Sequence, residues 1–508
     1  MRLATTLTRA QLGVKAPEVM VEAHVGGGLP QFTIIGLIET AVRESRDRVR
    51  AAITQSGLEF PDGRITVNLA PADLPKGGSG FDLATAIAIL AASGQVRLER
   101  LAGIEFHGEL ALSGALRRVP GLLPALMAAR RSGRSAIVPS AAESEAALLG
   151  SAGISLADQL LDVVRYLNGT GELRAPAPIA AIVPVSPLCS EDLADVRGQA
   201  QARHALEVAA AGGHHLLFTG PPGTGKTMLA RRLAGLLPEM TETEALESAA
   251  VHSLAGGITG FRQRPFRSPH HTASTAAMVG GGGNPRPGEI SMAHRGVLFL
   301  DELPEFSRAV LEALREPLGT GQVTIARALR TVEYPAAFQL VAAMNPCPCG
   351  FAGDQTETCR CTPEQVRRYQ TKVSGPLLDR VDLVVSVSRG GLRDSLSGNG
   401  CSSVETSAVV RSRIVAAVAR QQARAGVLNA RLDAAGLRDH CHLPADAQAL
   451  LEMAANRFAL SARALDSARR VARTLADLSA EESISRAHLA EALSLRADRG
   501  KADGLIAG

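Results

Sequence analysis

Residues 220–227 read GPPGTGKT, which fills the spacing G-x-x-x-x-G-K-[ST]. The chemistry of such a run is phosphate binding. Gly220, Gly223 and Gly225, with Pro221, Pro222 and Thr224 between them, let backbone N–H groups close on phosphate oxygens. The dipole of a following helix adds favourable charge. Lys226 is expected on the β- and γ-phosphates, and Thr227 on a magnesium ion through its hydroxyl. Lysine occurs only at 15, 76, 226, 372 and 501, and one of these few falls where the motif requires it. Downstream, residues 297–302 read VLFLDE, an apolar run ending in two carboxylates. Asp301 is expected to hold magnesium and Glu302 to polarise an attacking water, which points to ATP hydrolysis rather than nucleotide storage. A third apolar run, FQLVAAMNP, ends in Asn345. At the end of a strand lying between the other two, its amide would touch the γ-phosphate.

Seven cysteines occur, and four of them fall within fifteen residues as C-P-C-G-x8-C-x-C: Cys347, Cys349, Cys359 and Cys361. An odd count without an export signal argues against a disulfide framework. Four thiolates could make a tetrahedral zinc site, structural because no coordination position is left open. The adjacent His270 and His271 are read as loop residues without a catalytic role. His440 and His442, flanking Cys441, are likewise read as loop.

These residues need elements to position them. His215–Thr219, Val297–Leu300 and Phe338–Met344 read as buried strands alternating with helices, the α/β signature. MLARRLAGLL after the glycine loop is a helix pattern. Residues 1–172 mix short strands (Pro30–Ile38, Arg64–Leu69) with helices over Ala41–Ser56 and Phe81–Ala92, an α+β pattern. A Pro/Ala-rich joint is expected at 173–189 and a polar Gly/Ser-rich one at 391–404. They bound an α/β unit at 190–390 and a helical unit at 405–500. In the helical unit Leu465, Ala468, Ala472, Leu475 and Leu478 recur at helical spacing.

Composition limits the alternatives. The chain has 508 residues, enough for two to four domains. It is 46% hydrophobic and 20% charged, ordinary for a folded soluble protein. With 54 basic and 50 acidic residues, any nucleic-acid partner must be read from local patches. Aromatics are 3%, which argues against a base-stacking platform. The longest apolar run, Leu83–Ala92, is far short of a membrane span, and the N-terminal residues lack a signal-peptide core. A cytoplasmic protein with no membrane partner is expected.

The segment RPFRSPHHTASTAAMVGGGGNPRPGEISMAHRGVLFLDE, ending at 302, resembles the magnesium-chelatase-like branch of the AAA+ ATPases. With AAMNPCPCG, SGPLLDRVDL and the N-terminal region, nearly the whole chain resembles the ComM/YifB family. The resemblance implies a P-loop AAA+ core with a helical lid, assembled as a ring, with six subunits expected and ATP between them. It implies that Arg380, in LLDR, acts in trans on a neighbour's ATP, and that Arg463, in the lid, is a sensor in cis. It implies DNA as partner and branch migration in homologous recombination or natural transformation as the task. In QVTIARALRTVEYPAAF, a hairpin projecting into the ring channel, Arg327 and Arg330 are the expected DNA contacts. A magnesium-chelatase-like motor acting on a protein partner without DNA is the alternative.

LPKGGSGFDLATAIAIL and GELALSGALRRVPGLLPAL resemble the S5-like proteolytic domain of Lon. That chemistry needs a serine activated by a lysine amine. Ser79 lies near the nucleophile position, but Leu123 stands where the lysine should be. Arginine cannot replace it, because it does not deprotonate. Lys76, three residues before Ser79, would need an unusual turn to reach it. A retired protease fold, kept for binding or assembly, is expected.

Overall fold

The computed structural model describes residues 3–37, 39–178, 191–258, 260–282, 285–327, 330–354, 357–388 and 405–496. Of Thr40, Ala41, Arg43, Arg327 and Arg330 it describes the backbone alone. The expected joint at 391–404 and most of that at 173–189 lie outside the described residues. Residues 173–178 are described, and Arg174 is tied back to the preceding region. Its carbonyl accepts from Leu156 at 2.8 Å, and its guanidinium meets Glu143 at 2.6 Å.

The N-terminal region is built on a seven-stranded mixed sheet. Its order is Gln31–Ile35, Arg64–Ala70, Glu18–Gly26, Leu3–Arg9, Ile104–Phe106, Ser135–Pro139, Ile154–Ala157. The helix Asp82–Ala92 is buried along its whole length, which is why its sequence is apolar on every side. The helix Thr40–Gln55 buries the expected face of Val42, Val49 and Ile53.

The second sheet has five strands, all parallel, in the order Phe266–Arg267, Val297–Leu300, Gln339–Met344, Leu216–Thr219, Leu383–Ser386. Val297–Leu300 is buried at every residue, as expected for a parallel sheet covered on both faces. Among the described residues from 405 onward, five helices follow: Ser407–Ala425, Ala434–His440, Ala445–Phe458, Ala462–Leu478 and Arg486–Ser494. Their apolar faces join the sheet's own core, so that Val410, Ile414, Ala468 and Leu475 share one cluster with Leu216 and Phe218.

The N-terminal region docks on the helix Glu242–Leu254. Glu145, fully buried, accepts from Ser253 Oγ at 2.5 Å and from the Leu123 amide at 3.0 Å. A hairpin, Gln322–Arg327 paired with Arg330–Pro335, rises from the core beside it, and Glu333 meets Lys15 at 2.9 Å. Among the described residues, no helix is long and apolar enough to cross a membrane.

Candidate active site

The strand Leu216–Thr219 lies inside the parallel sheet and delivers the glycine loop at its carboxyl end. A side chain at Gly220 would collide with the carbonyl of Val387, so glycine there lets the loop leave between two strands. Gly225 takes φ +87°, a left-handed turn that starts the helix Lys226–Leu236. The loop is closed over its lysine. Lys226 Nζ donates to the carbonyls of Gly220 and Pro221 at 2.7 and 2.8 Å, and to Asn345 Oδ1 at 3.1 Å. Burial pulls its pKa down to about 8, against the opposing pull of Asp301 and Glu302. A desolvated ammonium held on weak carbonyl acceptors is poised for a phosphate, a stronger charged acceptor.

Asn345 follows the strand between those carrying the glycine loop and Asp301, as its position in the sequence implied. Thr227 Oγ1 donates to Asp301 Oδ2 at 2.7 Å. Two oxygens at that separation fit adjacent corners of a magnesium octahedron, whose bonds of ~2.1 Å set neighbouring ligands roughly 3 Å apart. Thr227 and Asp301 therefore form a donor set suited to Mg2+. Asp301 Oδ1 accepts the Glu302 amide at 2.9 Å. Glu302 adopts φ +53°, uncommon for a non-glycine residue and a conformation that clusters at functional sites. Its carboxylate lies 3.4 Å from His271 Nδ1. His270 turns away to Thr272 Oγ1 at 2.9 Å. The loop reading of His271 missed this contact with Glu302. Glu302 makes it from a left-handed turn, which no spacing rule signals.

Arg380 and Arg463 come together, but not at Lys226. With His215, Asp382, Arg431 and Arg470 they line a cavity of about 260 Å³. Burial and the neighbouring Arg463 lower the pKa of Arg380. His215 and Asp382 stand at the amino ends of the strands whose carboxyl ends face the glycine loop. At ~3.3 Å per residue, four-residue strands put roughly 10 Å or more of sheet between the arginines and the loop. Arg463, expected as a sensor in cis, lies at the end of the sheet opposite its own glycine loop. The lid helix Ala462–Leu478 is anchored at the opposite end by Ser467 to Asp382 at 2.5 Å and by Thr474 to His214 at 2.8 Å.

Arg327 and Arg330 are register partners at the end of the hairpin. Its base is fixed by buried Val323, Ile325, Val332 and Tyr334, with the Tyr334 hydroxyl donating to the Pro285 carbonyl at 2.7 Å. The four cysteines also converge: Cys347, Cys349, Cys359 and Cys361 place their Sγ atoms within 4.8 Å of one another. Backbone N–H bonds from Phe351 and Arg360 bring the Cys349 thiol down to about 6, while burial raises that of Cys347.

The protease-like segment holds no Ser–Lys pair. Ser79 Oγ donates to Glu109, and the fully buried Lys76 ammonium donates to the Pro71 carbonyl. Leu123 is fully buried.

A glycine loop at the end of an inner strand, two carboxylates at the end of the strand next but one, a polar residue at the end of the strand between and a fused helical lid define a P-loop ATPase of the magnesium-chelatase-like AAA+ class. Residues 192–394 match the family Magnesium chelatase, subunit ChlI, residues 21–142 match Subunit ChlI of Mg-chelatase, and residues 404–496 match its C-terminal part. The chain is 50% identical over 503 residues to Uncharacterized protein YifB of Escherichia coli, covering 98% of this chain and 97% of that protein. It is 49% identical over 506 residues to Competence protein ComM of Haemophilus influenzae, covering 98% of each. A shorter similarity, 27% over 179 residues, links 30% of this chain to 32% of Lon protease 2 of Bacillus subtilis. The chain belongs to the ComM/YifB family of magnesium-chelatase-like ATPases.

Proposed function

We propose that this chain is an ATP-hydrolysing DNA motor that works as a ring of six and drives branch migration during homologous recombination, natural transformation included. The observation that carries the reading is the division of the catalytic set. One end of the sheet holds Lys226, Thr227, Asp301, Glu302 and Asn345, and the other end holds Arg380 and Arg463. Head-to-tail contact between copies brings these two ends together, and closing that contact on itself gives a ring.

In such an interface the loop amides and Lys226 bind the β- and γ-phosphates. Thr227 and Asp301 would hold Mg2+, which would supply neutralisation of charge on the phosphate oxygens when bound. Glu302 accepts the proton of the water that attacks the γ-phosphorus, releasing ADP and phosphate. Asn345 touches the γ-phosphate and links its departure to the strand behind it. Arg380 and Arg463 of the adjoining copy stabilise the transferring group as permanently charged donors.

DNA as the partner is supported by the full-length similarity to Competence protein ComM and by the hairpin that carries Arg327 and Arg330 at its end. The test is duplex and branched DNA binding across a salt series, with ATP turnover measured alongside. Binding that weakens linearly in log–log salt plots, with turnover stimulated by DNA, supports the reading. Intact ATPase activity with no DNA binding and no stimulation would move the assignment to a motor acting on a protein partner.

A further inference from the structure

The loop that follows Asn345 has almost no core of its own. Among its described residues from 346 to 361, only Cys347 and Gly350 are buried. Four thiols nevertheless converge inside it. Cys347 Sγ lies 3.3 Å from Cys349 Sγ and 3.7 Å from Cys359 Sγ, and Cys349 and Cys359 are 3.6 Å apart. A disulfide requires ~2.05 Å, and these four cysteines are free thiols. Bonds of ~2.3 Å from zinc to four thiolates place sulfurs ~3.8 Å apart at the corners of a tetrahedron. The observed separations are close to that edge. The Ala352 amide donates to Cys347 Sγ at 3.3 Å, the kind of N–H···S bond that stabilises thiolate charge in a metal site.

The loop also forms part of the nucleotide pocket's wall. Cys347 lies two residues beyond Asn345, whose side chain meets Lys226. At Gly350 the chain turns with φ +88° and lies against the glycine loop, where an added Cβ would stand 2.6 Å from Pro222 Cδ. The Pro346 carbonyl is held by Gln370 at 3.1 Å.

We propose that Cys347, Cys349, Cys359 and Cys361 bind one zinc ion, and that the metal braces the loop holding Asn345 and Pro222 in place for ATP. Four protein ligands leave no open position, so the ion does no chemistry on substrate. It supplies instead the folding energy that a loop without a core lacks.

The test uses the full chain purified without chelators. Elemental analysis should give one zinc per chain. Cobalt-loaded protein should show the visible bands of tetrahedral thiolate coordination. Cys359→Ser with Cys361→Ser removes two partly exposed thiols and spares the buried Cys347. This variant should lose the zinc while keeping its helical circular dichroism, and should bind a fluorescent ATP analogue about fivefold or more weakly, a modest coupling between neighbouring sites. If the double variant does not fold, wild-type protein stripped by a chelator and reloaded with zinc serves instead: affinity should fall and then return. No zinc after incubation with the metal, together with no cobalt bands, would overturn the site. Zinc loss with unchanged analogue affinity would overturn the bracing role. Metal content and spectra are read without nucleotide or DNA, so failure of this inference is distinct from failure of the motor reading.

Discussion

Thr227 Oγ1 donates to Asp301 Oδ2 across 2.7 Å, although the strands that lead to them are separated by a third. The register staggers the strand ends: Thr219 pairs with Met344 and Leu300 with Ala342, so the chain leaves the sheet towards Asp301 two residues earlier along the middle strand than it does towards the glycine loop. One polar edge collects phosphate, metal and water groups that lie far apart in the chain.

From that arrangement the roles of the side chains separate. Lys226→Ala should lose nucleotide binding. Glu302→Gln should keep binding and lower turnover by about 10²–10⁴-fold, the range for a lost general base. Equilibrium binding of a fluorescent ATP analogue beside steady-state ATPase assays checks both. Wild-type turnover in Glu302→Gln would remove Glu302 from the reaction.

Burial gives Lys226 a pKa of about 8 against an ordinary 10.5. The sign follows from proton counts. Between about 8 and 10.5 the unfolded chain binds more protons at this site than the folded one. The lysine's unfavourable contribution is thus full below about pH 8 and is relieved as pH rises to 10.5. A triphosphate binds the charged form, so ATP binding at about pH 8.5 should take up protons, and less at neutral pH. Calorimetry in two buffers of different ionisation enthalpy measures the uptake. Equal heats in both buffers at the higher pH would contradict it.

Arg380→Ala should cut turnover about 10³-fold or more while binding persists, as for a charge supplied across an interface. Mixing Arg380→Ala with Glu302→Gln subunits, each inactive alone, should restore part of the activity. The mixed interface pairs an intact Glu302 with an intact Arg380. Arg463→Ala should be rescued by the same partner, because it lies with Arg380 at the far end of the sheet. No rescue of Arg463→Ala at any mixing ratio would return that residue to a role in cis.

Gly220→Ala drives a methyl group into the Val387 carbonyl and must part the strands Leu216–Thr219 and Leu383–Ser386. Destabilisation of about 1–3 kcal/mol, the usual range for overpacking, should show in thermal melts together with weaker nucleotide binding. An unchanged melting temperature would mean that the loop has slack there.

Much of the site is legible in the sequence because its parts are local: a glycine spacing before a helix, two carboxylates ending one apolar run and an asparagine ending another. The central strands of the N-terminal sheet are harder to read. Leu3–Arg9 turns Ala4, Thr6 and Thr8 inward, so its buried face is largely polar. The burial is satisfied by distant partners, with Thr6 donating to the Ala84 carbonyl at 2.9 Å. The position of Arg463 is also set at long range, by Ser467 and Thr474 docking on Asp382 and His214. The helical spacing of the lid shows its buried face but not which end of the sheet it covers.

The measurement that tests the account most directly is ATP-dependent branch migration on a synthetic mobile four-way junction, with Glu302→Gln and the double variant Arg327→Ala/Arg330→Ala alongside. The account predicts resolution into duplex arms by the wild type, none by Glu302→Gln, and reduced resolution with largely intact basal ATP hydrolysis by the hairpin variant. An unresolved junction in the presence of full ATP turnover by the wild type would contradict it.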